Sequence, residues 1–300
     1  MKVLLLAGGW SSEREVSLRG GDQIATALES RGHSVTRFDP AKEFEHLMDV
    51  ARQHDVAFIN LHGAAGEDGL VQALLDRVNC PYQGAGPAGS FLALHKAAAR
   101  QIFRDAGLRI PDGVFLPRHP GPGWKPPFDF PLFVKSNTGG SSINLSRVVN
   151  EEELAIALNA LFSTGEEALV EKAISGREVT CGILGDKALA PILIVSKGLF
   201  FDYHNKYAAD GAEEICPAPL SAAITANVQD CALRAHVALG LKGYSRADFI
   251  LQDDGALFLL EVNTIPGMTA TSLVPREAAV IGLSFADLAE RLLQLAVGKE

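Results

Sequence analysis

Residues 258–273 read Phe-Leu-Leu-Glu-Val-Asn-Thr-Ile-Pro-Gly-Met-Thr-Ala-Thr-Ser-Leu. The apolar run Ala256–Leu260 suits a buried strand. Glu261 and Asn263 follow two apart, so a strand puts both side chains on one face. Just upstream, Tyr244-Ser-Arg-Ala-Asp-Phe-Ile-Leu251 reads as a second strand, and Asp253-Asp254-Gly255 as the turn between the two. Arg246 and Asp248 also share a face. Antiparallel pairing would bring Asp248, Glu261 and Asn263 together beside Arg246. Two carboxylates and an amide are hard oxygen donors, the set Mg²⁺ prefers when it also holds phosphate oxygens. Either acid alone reads as a solvated strand residue. The arginine and the turn Ile265-Pro266-Gly267-Met268, which exposes backbone N–H groups beside the acids, favour a metal and anion site instead.

Length and composition bound the rest. The 300 residues suit about two domains, and 47% apolar with 21% charged residues is ordinary for a globular chain. The net charge of −9 and the lack of a long basic block argue against general nucleic-acid binding. Apolar runs are too short for a transmembrane helix. The start, Met1 to Gly9, reads as a first strand and not as a signal peptide. Cys80, Cys181, Cys216 and Cys231 lack CxxC spacing and read as reduced thiols of a cytoplasmic protein.

Strands at Val3–Leu6, His33–Phe38 and Val56–Leu61 alternate with helices. One runs from Ser11 or Ser12 to about Ser30 with Gly32 as C-cap, the other over Phe44–Arg52. That alternation predicts a parallel α/β sheet with ligands at the carboxyl ends of its strands. Two loops fall there. GGWSSEREVS places Glu13 in a first helical turn, where the helix dipole favours an acid, and it lacks GxGxxG spacing. HGAAGEDG, His62 to Gly69, carries Gly63, Gly66 and Gly69, which with Gly84 suit close backbone approach to a ligand. A helix is read over Phe91–Ala106, with Lys96 inside it. Pro111–Pro131 is read as a loop or linker. After a strand at Leu132–Lys135, Gly139-Gly140-Ser141-Ser142 reads as a flexible loop able to close over phosphate. It is not a Walker A loop, because no GK[ST] follows. An amphipathic helix, Glu151–Phe162, precedes a strand ending in Glu171-Lys172-Ala173-Ile174. A strand-end linker between lobes offers the donor, acceptor and apolar faces that an adenine needs. Strands at Val179–Leu184 and Ala190–Val195 are followed by a long aromatic-polar segment after Gly198, of the kind that forms lids. Helices at Ala222–Leu239 and Phe285–Val297 complete the reading.

Over essentially the whole chain these motifs, in this order, resemble the D-alanine–D-alanine ligases of the ATP-grasp superfamily. The resemblance implies an α/β chain (α+β overall) with an N-terminal parallel α/β substrate domain, residues 1–94. A central lobe, 95–178, and a C-terminal lobe, 179–300, would enclose ATP. It implies that two D-alanines are joined through a D-alanyl phosphate for peptidoglycan precursor synthesis. It assigns Glu13 to the first ammonium with His62 nearby, and Lys96, Lys135 and Lys206 to phosphates. Glu171, Lys172, Ile174 and Glu178 become nucleotide contacts. Asp248, Glu261 and Asn263 become ligands of two Mg²⁺ ions, with Mn²⁺ able to substitute. Arg246 and the Gly267 N–H would stabilise an oxyanion, and Ser272 and Leu273 would hold the second carboxylate. Ser141 and Tyr207 would form a network with Glu13, and keeping Lys206-Tyr207 favours an amine acceptor over D-lactate. The chain departs from the family pattern at His95, where aspartate is usual, at Ser136 in place of proline, at Asn144 in place of glycine, and at Arg147. A homodimer is a family expectation. Two rivals stand beside this reading: an ATP-grasp ligase for other amino acids, and a non-enzymatic nucleotide-binding regulator.

Overall fold

A computed structural model describes residues 1–139, 145–196 and 212–298. Ser141, Ser142, Asn144, Lys206 and Tyr207 therefore lie outside the described residues. In chain order, β1 (Lys2–Ala7), α1 (Arg14–Ser30), β2 (Ser34–Phe38), the short α2 (Pro40–Glu43), α3 (Leu47–Ala51) and β3 (Val56–Asn60) form the first unit. Its three strands run parallel in the order β2-β1-β3. β1 is apolar at every core position because both faces are covered. Val3 and Leu5 pack with Ile24 and Leu28 of α1, while Leu4 and Leu6 pack with Leu47 on the other side.

Helix α1 begins at Arg14, not at the serines. Ser11 accepts from the Glu13 N–H at 3.2 Å in a turn that precedes the helix. The helix ends at Ser30 with Arg31 as C-cap, one residue before the expected Gly32, whose φ of +82° lets the chain turn away just past it. The Phe44–Arg52 segment starts as a single 3₁₀ turn, Phe44–His46, before α3.

Next come α4 (Leu70–Arg77), α5 (Pro87–Leu94), α6 (Lys96–Asp105), β4 (Gly113–Leu116), β5 (Leu132–Ser136), β6 (Ser146–Val148), α7 (Glu151–Ser163) and β7 (Ala168–Lys172). The single helix expected over Phe91–Ala106 is two helices broken at His95, whose ψ of 88° is not helical. Asn137 causes the restart. Its carbonyl accepts from the Lys96 N–H at 3.0 Å and its Oδ1 from the Ala97 N–H at 2.9 Å, satisfying donors that a helix start leaves open. The Pro111–Pro131 stretch also contains β4, which joins the antiparallel sheet β4-β7-β5-β6. Leu132, Val134, Ala168 and Val170 of that sheet pack on Leu154, Leu158 and Leu161 of α7.

The last part holds β8 (Arg177–Leu184), β9 (Lys187–Ala188), β10 (Ile192–Ser196), β11 (Ala212–Ile215), α8 (Ala222–Ala238), β12 (Tyr244–Leu251), β13 (Leu257–Asn263), α9 (Leu273–Val280) and α10 (Phe285–Ala296). Its antiparallel sheet runs β11-β10-β8-β12-β13, with β9 beside β8. Val179, Cys181, Ala247, Phe249, Leu257 and Leu259 face Val228, Ala232 and Ala235 of α8. The alternate residues of these strands therefore line the opposite face. Among the described residues no helix is long and apolar enough to cross a membrane.

The first unit meets this sheet at two glycines. A Cβ on Gly243 would fall 2.8 Å from the Gly84 nitrogen, and Gly243 has a φ of +70°. Gly243→Ala meets both obstacles and is expected to cost about 1–3 kcal/mol. The readout is a lower urea midpoint with an unchanged m-value.

Candidate active site

Strands β8, β12 and β13 lie side by side, and their register sets the site. Gly182 pairs with Arg246 and Arg246 with Asn263; Thr180 pairs with Asp248 and Asp248 with Glu261. The expected gathering of Asp248, Glu261 and Asn263 beside Arg246 is thus present. It depends on a bulge: Asp248 faces Glu261, but Phe249 faces Leu259, so Leu260 is an extra residue.

Asp248 is 7% exposed. Its Oδ1 accepts from Thr180 Oγ1 at 2.6 Å and Arg246 Nε at 2.9 Å, and its Oδ2 from Arg246 Nη2 at 2.7 Å. Burial works against the Arg246 charge, but Asp248, Glu261 and Glu277 outweigh it and raise the guanidinium above its ordinary value. Asn263 Oδ1 accepts from the Ile265 N–H at 3.0 Å and keeps a second lone pair.

Among the described residues, no three His, Cys, Asp or Glu side chains are grouped for a metal. The donor set here is two carboxylates and one amide oxygen, which fits a hard divalent cation that completes its shell with phosphate oxygens and water.

The lysines sit where two sheets end. Lys96 opens α6, with Nζ 3.4 Å from Glu261 Oε2 and 2.6 Å from the Gly139 carbonyl oxygen. Lys135 Nζ lies 2.6 Å from Glu171 Oε2. Glu171 also pairs with Arg100, and both of those side chains are nearly enclosed, at 5% and 6% exposure. Gly113 leaves room for that pair, since a Cβ there would fall 2.9 Å from both Arg100 Nη2 and Glu171 Cγ. Lys172 is exposed and Ile174 half-buried, and the segment they share joins the four-stranded to the six-stranded sheet. Glu178 pairs with Ile250 in the row next to Asp248. The nucleotide residues expected from sequence therefore fall on the link between sheets and on the open faces beside it. Glu171 differs in that its carboxylate is turned inward onto Arg100 and Lys135.

From the first unit come Glu13, His62 and Glu67. His62 is 7% exposed; burial lowers its imidazole, Glu13 pulls it up and Arg246 pushes it down, so it stands within the field of both. Glu67 is half-buried. Burial, then Glu13, push its carboxyl up to about 8, with Lys96 and Glu261 also in its field. These couplings bring the loops after β1 and β3 to the same place as the β12–β13 hairpin. Loop 268–270 is tied to α1, because Gln23 Oε1 accepts from the Ala270 N–H at 2.8 Å. Ser272 precedes α9, and its Oγ accepts from the Thr269 N–H at 3.0 Å. A Cβ on Gly267 would fall 3.2 Å from that same Oγ, so glycine keeps this turn open.

Thr180, Arg100, Asn137, Glu67 and Glu277 were missed in the sequence reading. Thr180 and Gly182 follow Glu178 at spacing two, a readable signal. Arg100, Asn137 and Glu277 carry none, because their partners are distant in sequence.

A three-stranded parallel unit followed by two antiparallel sheets, with lysines and acids at their junction, defines an ATP-grasp ligase. The crystal structure of D-alanine–D-alanine ligase from Bacillus anthracis complexed with ATP superposes with a TM-score of 0.86 at 30% identity, covering 99% of this chain and 98% of that one. The VanG D-Ala:D-Ser ligase from Enterococcus faecalis gives 0.84 at 26% identity, covering 99% of each chain. The family model described as D-ala D-ala ligase C-terminus matches residues 124–294. The D-alanine–D-alanine ligase of Lawsonia intracellularis is 62% identical over 297 residues, 99% of this chain and 98% of its own. That of Nitratidesulfovibrio vulgaris is 63% identical over 296 residues, 98% of each. The chain belongs to the D-alanine–D-alanine ligase family.

Two outcomes are expected. Glu171→Ala strands the buried Arg100 charge and should cost roughly 3–5 kcal/mol in urea unfolding. Glu67 holds a proton when folded that the unfolded chain has lost between pH 4.5 and about 8, so the folded state loses stability as pH rises through that window. Without metal or nucleotide, the stability of Glu67→Gln relative to wild type should therefore grow across the window and level off above it.

Proposed function

We propose that this chain joins two D-alanines into D-alanyl-D-alanine with ATP, in the cytoplasm, for peptidoglycan precursor synthesis. The observation that carries the reading is the row Asp248, Glu261 and Asn263 beside Arg246, in a chain 62% identical to a D-alanine–D-alanine ligase. Glu13 receives the ammonium of the first D-alanine, with His62 neutral beside it. Lys96, Lys135 and Lys206 hold phosphate oxygens, while Lys172, Ile174 and Glu178 hold the nucleoside and Glu171 fixes Lys135. Asp248, Glu261 and Asn263 hold Mg²⁺, or Mn²⁺ in its place, which when bound neutralises charge on the transferring phosphates.

A carboxylate oxygen of the first D-alanine attacks the γ-phosphorus, the bond to ADP breaks, and an acyl phosphate forms. This step is positioning and charge neutralisation. The amine of the second D-alanine then attacks the acyl carbon. Arg246 and the Gly267 N–H stabilise the tetrahedral oxyanion, and phosphate leaves as the carbonyl reforms. Ser272 Oγ and the Leu273 N–H hold the second carboxylate, while Ser141 and Tyr207 complete a network with Glu13.

The likeness to a D-Ala:D-Ser ligase makes the acceptor the property to test. Phosphate release from Mg-ATP is measured with D-alanine, D-lactate, D-serine and L-alanine. The expected result is release with D-alanine, lowered on the order of 10²–10³-fold in Arg246→Ala. Turnover confined to another amino acid overturns the substrate. ATP binding without turnover on any of them favours the regulator.

A further inference from the structure

Glu277 lies on α9, five residues beyond Ser272, and is 0% exposed. Its Oε1 accepts from the Gly182 N–H at 3.0 Å. Its Oε2 has no hydrogen-bond partner. Gly182 is the cross-strand neighbour of Arg246, on the same face of the sheet. A Cβ on Gly182 would fall 2.2 Å from Glu277 Oε2. The carboxylate thus fills the volume that a side chain at position 182 would occupy, directly alongside Arg246. The two groups feel one another: Glu277 raises the Arg246 guanidinium, and Arg246 pulls down a carboxyl that burial lifts well above its usual range. Stability does not account for this acid. A buried carboxylate with an unmatched oxygen is costly, and an apolar residue would fill an interface of α9 with β8 without that cost. The neighbouring Arg276 ties the same helix to Glu214 of β11.

We infer that Glu277 is a positioning residue: from α9 it flanks Arg246 on the β8 side, at Gly182, and fixes the Ser272–Leu273 turn relative to that guanidinium, with Gly182 as its obligate partner. The inference rests on the roles proposed above for Arg246 and Ser272. On that reading one rigid strut sets the spacing between the group that stabilises the oxyanion and the groups that hold the second substrate's carboxylate. The first-substrate loops after β1 and β3 and the Lys172–Ile174 nucleotide segment stand on other elements, so their affinities are expected to hold.

The test is steady-state kinetics of the full chain with Mg-ATP, resolving the two D-alanine KM values and the KM for ATP. Glu277→Ala is expected to lower kcat and raise the second D-alanine KM, together on the order of 10–100-fold, the usual toll for removing an outer partner of a functional group. The KM values for ATP and the first D-alanine should hold. Glu277→Gln keeps an acceptor for the Gly182 N–H and should restore most of the loss. Gly182→Ala drives the carboxylate away and should reproduce the defect. Gly182→Ala with Glu277→Ala should be no worse than Glu277→Ala alone, the non-additivity of two residues in contact. Unchanged second-site KM and kcat in Glu277→Ala, or additive effects in the pair, overturn the inference while the loss in Arg246→Ala leaves the parent reading standing. Full turnover in Arg246→Ala overturns both. Should Glu277→Ala fail to fold, Gly182→Ala carries the same test, and an unchanged second-site KM there is equally decisive.

Discussion

Between Asp248 and Phe249 the pairing of β12 with β13 slips by one residue, and the placing of Glu261 on the face of Asp248 depends on that slip. Leu257 and Leu259 face the core under α8. Strict alternation would send Glu261 the same way, into apolar surroundings where an unpaired charge is not tolerated. The extra residue at Leu260 turns Glu261 onto the face of Asp248 and leaves Val262 to fill the core position. The remainder of the sheet serves that face. Thr180 reaches across from β8, and the small residue at 182 leaves space beside Arg246.

Among the described residues, Arg246 rests on Asp248, Lys135 on Glu171 and Lys96 on Glu261. Isolated, such groups would be costly to bury. Paired and hydrogen-bonded, they are held in fixed orientations. Glu67 differs. Its field is dominated by burial and by Glu13, and its carboxyl is protonated far above the ordinary range.

Local pattern revealed most of the frame. The period-two spacing of Arg246 with Asp248 and of Glu261 with Asn263 was enough to predict that the four share one face, and the alternation of β1 to β3 with helices was enough to predict a parallel sheet. The bulge at Leu260 was not legible, because a bulge is a property of two paired strands and cannot be read from one. The break at His95 was hidden for a similar reason. Phe91–Ala106 is helical by composition throughout, and it restarts at Lys96 because Asn137, more than forty positions away, caps the new helix. Glu171 lies at the strand end that the sequence marks out, yet its inward turn depends on Arg100, Lys135 and the space at Gly113. The small strands β4, β6 and β9 carry too few residues for a pattern to show.

Asn137 has a wider consequence. It is 2% exposed, and besides capping α6 it donates through Nδ2 to Glu167 at 2.8 Å, just before β7. Helix α6 and the ends of β5 and β7 are thereby welded into one piece. Lys96 stands on the helix and Lys135 on the strand, so the two lysines are mounted on one rigid piece. On the reading proposed for these lysines, a polyphosphate meets a pair whose backbone positions are already set, and less ordering entropy is left to lose on binding.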